Sequence, residues 1–319
     1  MKKGLANKML KDFNQPQFPA NQIPARNIRP RMLQSSTSGV TISVPQGSEP
    51  GHSLKVAPSQ SPNGHNQVTI LNVNIHNLTF DDFLRQLHHG IVFTPNVDHL
   101  MKLQRDPEFF RTYQLADYRI CDSQILIYAS RFLGTPIQEK ISGSDLLPVF
   151  CQYHRENEDI KIFLLGGGKG VAQRAQQKLN QKTRRRIVVA AHTPSFGFEH
   201  NEAECLEIVK LINQSQANVL VVGVGAPKQE FWIVKYRDQL PNIDIFLGLG
   251  GAIDFAAGAK PRSPQWISDV GLEWLYRLVS EPRRLWKRYL IDDFPFLGLI
   301  LLQKLKLYRS PFKPQWFKS

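Results

Sequence analysis

Four parts of this 319-residue chain carry side chains whose type and spacing can do chemistry. Asp122 follows the apolar run YRIC, where a carboxylate can take the proton of a substrate hydroxyl within hydrogen-bond reach. It can equally cap a helix beginning near Ser123, and position leaves both roles open. Thr94 and Asn96 close the run GIVFT, where they can bind sugar or nucleotide hydroxyls or cap a helix starting at Val97. In Gly223–Glu230 (GVGAPKQE), Pro227 can open a helix whose first turn holds Lys228 and Gln229. A cation there opposes the helix dipole, so an anionic ligand explains Lys228 better than local stability does. A simply solvated lysine is the plain alternative.

The glycines point the same way. Gly166-Gly167-Gly168-Lys169-Gly170 links a strand to a helix, and Gly225 lies in the later turn, so the backbone can approach a diphosphate closely at both. The first turn fits neither GxGxxG with a downstream acid nor GxxxxGK[ST]. Asp254 follows the glycine-rich Gly248–Gly251, with capping or burial as its bland role. No DxD pair occurs, and the nine histidines show no metal-ligand spacing, so neither metal nor cofactor is expected. Arg277, Arg284 and Arg288 are seven and four residues apart. They share a helical face with Trp274 and Glu281, provided Pro282 does not break the helix. Such a row can clamp a diphosphate, or can be a solvated basic face.

These residues need a scaffold that brings strand ends together. Short apolar strands are predicted at Val68–Val73, Gly90–Thr94, Tyr118–Cys121, Ile160–Leu165, Ile187–Ala191, Val219–Val222 and Ile243–Leu247. Helices are predicted between them, among them Val97–Gln104, Gln124–Phe132, Ser144–His154, Val171–Asn180 and Lys228–Leu240. Alternating strands and helices with continuous apolar strands imply a Rossmann-like, mostly parallel α/β sheet with helices on both faces. Ligands of such sheets bind at the carboxyl ends of the strands. Thr94–Asn96, Asp122, Gly166–Gly168 and Gly223–Gln229 all fall at such ends.

Charge divides the chain into three. Residues 1–66 hold 8 Lys/Arg against Asp12 and Glu49, and residues 283–319 hold 9 against Asp292 and Asp293. Removing these from 40 basic and 27 acidic residues leaves 23 of each between them. A neutral body with basic ends argues against nucleic acid as a partner and for an anionic membrane surface or a diphosphate. Residues 1–66, rich in Gln, Asn, Ser and Pro, are expected to be a disordered basic extension, with an α/β catalytic domain at 67–270. A helical, basic appendage follows at 271–319. Its apolar run Phe294–Leu302 is too short to span a bilayer but resembles an interfacial anchor; a docking helix or an oligomer interface is the alternative. Cys121, Cys151 and Cys205 are odd in number and widely spaced, which fits a reducing compartment.

Taken together, TPN (Thr94–Asn96), Ala116, Asp117 and Asp122, SGSDL (Ser142–Leu146), LLGG (Leu164–Gly167), VGVGAPKQE (Val222–Glu230), GGAIDFAAG (Gly250–Gly258) and GLEWLYRL…EPRRLWKRY (Gly271–Tyr289) resemble the WecB/TagA/CpsF family of bacterial glycosyltransferases, glycosyltransferase family 26. The resemblance covers roughly residues 68–298. It implies metal-independent transfer, with inversion, of N-acetylmannosamine or a related sugar from a UDP-sugar to a polyprenyl-diphosphate-linked sugar. That step serves wall teichoic acid, enterobacterial common antigen or exopolysaccharide synthesis at the cytoplasmic membrane face. It implies Asp122 as base, Thr94 and Asn96 as positioning groups and Gln229 as a contact to substrate or leaving diphosphate. Arg277, Arg284 and Arg288 would then close over the diphosphates from a mobile appendage. Ser123 stands where the family often has glycine, and Ser263 where it often has alanine.

Two other classes make different demands. A nicotinamide-dependent oxidoreductase needs an acid at the end of the strand after Gly166–Gly170, where the chain reads TRRRIVVAAHT. A non-catalytic basic binding protein is opposed by the neutral body.

Overall fold

The computed structural model describes residues 67–262, 264, 267 and 272–312, leaving out the side chains of residues 273, 277, 284, 289 and 290. The extension 1–66, Ser263 and the terminal aromatics Trp316 and Phe317 lie outside the described residues.

The described chain opens with an antiparallel hairpin, β1 (Gln67–Ile70) and β2 (Val73–His76). The single run expected at Val68–Val73 is thus two strands. The turn between them sets buried Leu71 at φ 54, a conformation that only tertiary contacts make acceptable for leucine. Those contacts come from far along the chain. The Leu71 N–H donates to Gln303 Oε1 at 2.8 Å, and Asn72 Nδ2 donates to the Leu103 carbonyl at 2.8 Å.

Six strands form one all-parallel sheet: β3 (Gly90–Phe93), β4 (Tyr118–Arg119), β5 (Ile162–Gly166), β6 (Val188–His192), β7 (Val219–Gly223) and β8 (Ile245–Gly248). Their order across the sheet is β4-β3-β8-β7-β5-β6. Two apolar cores cover its two faces, as the period-2 alternation of strand side chains requires. Leu220 and Val222 of β7 join one core, and Val219 and Val221 join the other. The same split divides Phe163 and Leu165 from Ile162 and Leu164 on β5.

The helices are α1 (Phe80–Gln86), α2 (Val97–Lys102), α3 (Pro107–Gln114), α4 (Gln124–Leu133), α5 (Gly143–Tyr153) and α6 (Val171–Thr183). They continue with α7 (Glu202–Gln214), α8 (Lys228–Tyr236) and α9 (Ala252–Ala257). Several starts are fixed by polar caps. Asp106, just before Pro107, accepts from the N–H groups of Glu108 and Phe109 at 2.9 Å each, and Asn201 caps α7.

The C-terminal segment forms α10 (Glu273–Ser280), α11 (Pro282–Lys287), a π-helical turn (Arg288–Asp292) and α12 (Pro295–Lys304). The shared helical face of the arginine row, conditional on Pro282, is broken at Glu281, which takes φ −133, ψ 57. The cause is Pro282, whose ring excludes the preceding residue from helical geometry and which instead starts the next helix. Beyond the break, the appendage expected to be mobile is docked. Phe296 and Ile300 are buried in one of the two cores, and Gln303 Nε2 donates to the Thr69 carbonyl at 2.9 Å. The Tyr308 hydroxyl donates to Gln104 Oε1 at 2.7 Å. No helix among the described residues is long and apolar enough to cross a membrane.

Candidate active site

Strand order decides which strand ends meet. The carboxyl ends of β3, β8 and β7 are neighbours, and with α2, α9 and the C-terminal turn they enclose a cavity of about 870 Å³. A second cavity, about 270 Å³, lies between the start of α4, Trp274 and the 293–297 segment. Asn96, Asp98, Asp122 and Arg288 line both.

Asp122 lies one residue before the cap position of α4. That helix is preceded by Ser123, which makes no side-chain cap, while Asp122 Oδ1 accepts from the Gly143 N–H at 3.2 Å at the start of α5. Its own N–H donates to the Pro95 carbonyl at 3.0 Å. The carboxylate is thus held from the start of α5 and the backbone from the loop after β3, and the residue is partly exposed. Asn96 does cap α2, accepting from the His99 N–H at 3.1 Å, and lines both cavities as well, so its two expected roles coincide. Thr94 is buried against β8, its hydroxyl donating to the Gly248 carbonyl at 3.4 Å, and reaches the larger cavity.

The remaining sequence-predicted residues divide. Gly225 lines the larger cavity, yet its N–H is spent on Gln229 Oε1 at 3.2 Å. Gln229 also lines that cavity but is 1% exposed, and its Oε1 accepts a second N–H, from Gly250, at 3.0 Å. Gly166 and Gly167 line neither cavity. A Cβ on Gly166 would stand 2.5 Å from the Gly223 carbonyl oxygen, so this glycine lets β5 and β7 pack closely rather than admitting a ligand. Lys228 is placed away from both cavities as well. Its ammonium lies 3.5 Å from Glu199 and 5.5 Å from the Phe196 ring centre, and it lines neither cavity. Of the arginine row, Arg288 lines both cavities, while the side chains of Arg277 and Arg284 lie outside the described residues. Their former stripe-mates separate, Trp274 lining the smaller cavity and Glu281 the larger.

Ion pairs dominate the electrostatics. Lys102 and Arg288 approach Asp98 at 2.7 and 3.5 Å, and Arg288 also faces Asp293 at 3.8 Å. Burial opposes ionisation of Asp98, but Arg288 and Lys102 together hold its carboxyl below the usual carboxylate range. Burial pushes Asp293 up to about 7 despite Arg288. Lys260 lies 3.5 Å from Asp254 and 3.7 Å from Glu281, tying α9 to the α10–α11 junction. Arg262 holds Asp145 and the Ser144 carbonyl, both at 2.7 Å. Among the described residues lining the larger cavity, Lys102, Lys260 and Arg288 face Asp98, Asp122, Asp254, Glu281 and Asp292. The cations are thus already paired with carboxylates.

Burial drives the His99 imidazole down to about 3, so it is neutral, with Nδ1 3.0 Å from the Tyr113 hydroxyl. Glu230, fully buried beside Gln229, is pushed up to about 7 by desolvation. Sequence reasoning missed Asp98 and Lys102, although their i,i+4 spacing on the helix after TPN was a readable signal. Lys140, Lys260 and Phe255 gave no such signal; only the fold brings them to the cavities.

The chain matches the family model described as "Glycosyl transferase WecG/TagA/CpsF family" over residues 68–310. It is similar to the N-acetylglucosaminyldiphosphoundecaprenol N-acetyl-beta-D-mannosaminyltransferase of Staphylococcus aureus strain MW2, at 29% identity over 195 residues, 60% of this chain and 72% of the relative. The proteins of the same name from strains NCTC 8325 / PS 47 and COL match at the same identity and coverage.

Proposed function

The chain belongs to the WecG/TagA/CpsF family of glycosyltransferases, and from that premise we propose that it moves N-acetylmannosamine or a related hexosamine or uronate from a UDP-sugar to a polyprenyl-diphosphate-linked sugar, with inversion and without a metal. The observation that carries this reading is the position of Asp122 on the wall shared by two cavities. The larger, polar cavity suits a nucleotide diphosphate sugar. The smaller one mixes Lys140 and Arg288 with Ile125, Trp274, Phe294 and Leu297, which suits a sugar carried on a diphosphate and an isoprenoid chain.

Asp122 takes the proton of the acceptor hydroxyl as that oxygen bonds to the anomeric carbon. The bond from that carbon to the UDP oxygen breaks on the opposite face, and the configuration inverts. Arg288, Lys102 and Lys260 meet the charge that develops on departing UDP, exchanging their carboxylate partners for phosphate oxygens. Asn96 and Thr94 hold sugar hydroxyls at the shared wall. The metal-free reading rests on the lack of any DxD pair in the sequence.

A lipid-linked acceptor and a nucleotide-sugar donor together fit a reaction at the inner face of a bacterial membrane. Phe294, Leu297 and Leu301 are exposed at helical spacing, opposite buried Phe296 and Ile300, and Lys304, Lys306 and Arg309 follow. An apolar stripe bordered by cations fits an anionic bilayer surface.

The test is a transfer assay with UDP-N-acetylmannosamine and a polyprenyl-diphosphate-N-acetylglucosamine analogue, with and without EDTA. Product formation insensitive to EDTA is expected. Loss with EDTA and recovery with magnesium would overturn the metal-free step. Failure of every UDP-sugar in a panel to bind would overturn the donor assignment.

A further inference from the structure

Gln229 and Glu230 are buried side by side where β7 leads into α8, at 1% and 0% exposure. Gln229 Oε1 accepts from the Gly225 N–H at 3.2 Å and from the Gly250 N–H at 3.0 Å, while its Nε2 donates to Glu230 Oε1 at 2.8 Å. The amide therefore joins the loop after β7 to the loop after β8, and its oxygen has no lone pair left for a ligand. Glu230 lines neither cavity, and its Oε2 has no hydrogen-bond partner among the described residues. A buried carboxyl so poorly satisfied costs stability, and the proposed transfer step does not use it.

We infer that these two residues form a clasp: Glu230 fixes the orientation of the Gln229 amide, and that amide holds the β7 and β8 loops together as the floor of the larger cavity. A flipped amide would set its NH2 group against two backbone N–H donors and its oxygen against the Glu230 carboxyl, turning three attractive contacts into repulsive ones. Glu230, the acceptor, is what makes the observed orientation the stable one. Both are positioning residues, and the Gln229 amide oxygen is a structural tie rather than a contact to substrate. The ligand-binding consequence rests on the larger cavity being the UDP site.

The experiment uses the full chain, with UDP binding by calorimetry and hydrogen exchange at the Gly225 and Gly250 amides as separate readouts. Glu230→Gln keeps an acceptor oxygen and should bind UDP like the parent. Glu230→Met keeps the volume without the acceptor; it should weaken UDP about tenfold, as expected for one lost oriented contact, and speed exchange at both amides. Gln229→Glu opposes two carboxyls and should be equally impaired. Gln229→Glu combined with Glu230→Gln restores all three contacts with roles exchanged and should recover both readouts. This exchange still decides the matter if a single variant fails to fold, because recovery of the fold in the double variant is itself the predicted rescue. A double variant as impaired as Gln229→Glu, or a Glu230→Met protein with parental exchange at both amides, would overturn the clasp. If the parent does not bind UDP, the donor assignment fails, and the exchange readout alone tests the clasp.

Discussion

Two glycine-rich turns of this chain look alike in sequence and do different work. Gly166–Gly170 follows β5 and Gly223–Gln229 follows β7, each a strand end leading into a helix. The second lines the larger cavity, and the first lines neither of the two cavities described. The first is consumed by the neighbouring strand: Gly166 sits at φ 138 against the Gly223 carbonyl. The second has open space at Gly225, φ 88, where a Cβ would meet nothing within 4 Å. A glycine at a strand end means that something approaches closely, and strand order decides whether it is backbone or ligand.

This contrast can be broken by substitution. Gly166→Ala should lose roughly 3 kcal/mol or more, because a methyl group would clash with rigid backbone at a φ that side chains avoid. Gly225→Ala should lose only about 1–2 kcal/mol, the cost of the left-handed backbone, while weakening UDP by crowding the cavity wall. Thermal melts with and without UDP separate the two. Equal stability losses, or an effect on UDP from a folded Gly166→Ala protein, would erase the distinction. The smallest effect is expected at Lys228, whose partly exposed pairing with Glu199 is worth about 0–1 kcal/mol. Lys228→Ala should leave UDP affinity and turnover essentially unchanged in calorimetry and transfer assays. A clear loss of UDP affinity would return Lys228 to the ligand.

The parallel α/β sheet was legible because its strands are continuous apolar runs and its helices are amphipathic; strand ends shifted by a residue or two and helix ends by up to four, the helix from Lys228 stopping at Tyr236 rather than Leu240. Asp122, Thr94 and Asn96 were legible as strand-end residues for the same reason. What the chain did not disclose was contact between distant segments. The order β4-β3-β8-β7-β5-β6 excludes Gly166 and Gly167 from the cavities, and nothing local to them encodes it. The ties of Lys260 to Asp254 and Glu281, and of Arg262 to Asp145, join segments that only the fold brings together. The hairpin turn escaped notice because Leu71 takes a left-handed conformation that distant residues impose. Pro282 was the opposite case: its power to break the arginine row was visible, and it does break it.

Asp122 is proposed as the base at the junction of donor and acceptor. Asp122→Asn is a clean test, because asparagine can still accept from the Gly143 N–H while losing the ability to take a proton. The measurement is turnover of this variant at saturating acceptor, alongside its affinity for the UDP-sugar. Turnover should fall by about 10²–10⁴-fold, the usual contribution of a general base, with donor affinity little changed. Near-parental turnover in a folded variant would contradict the assignment.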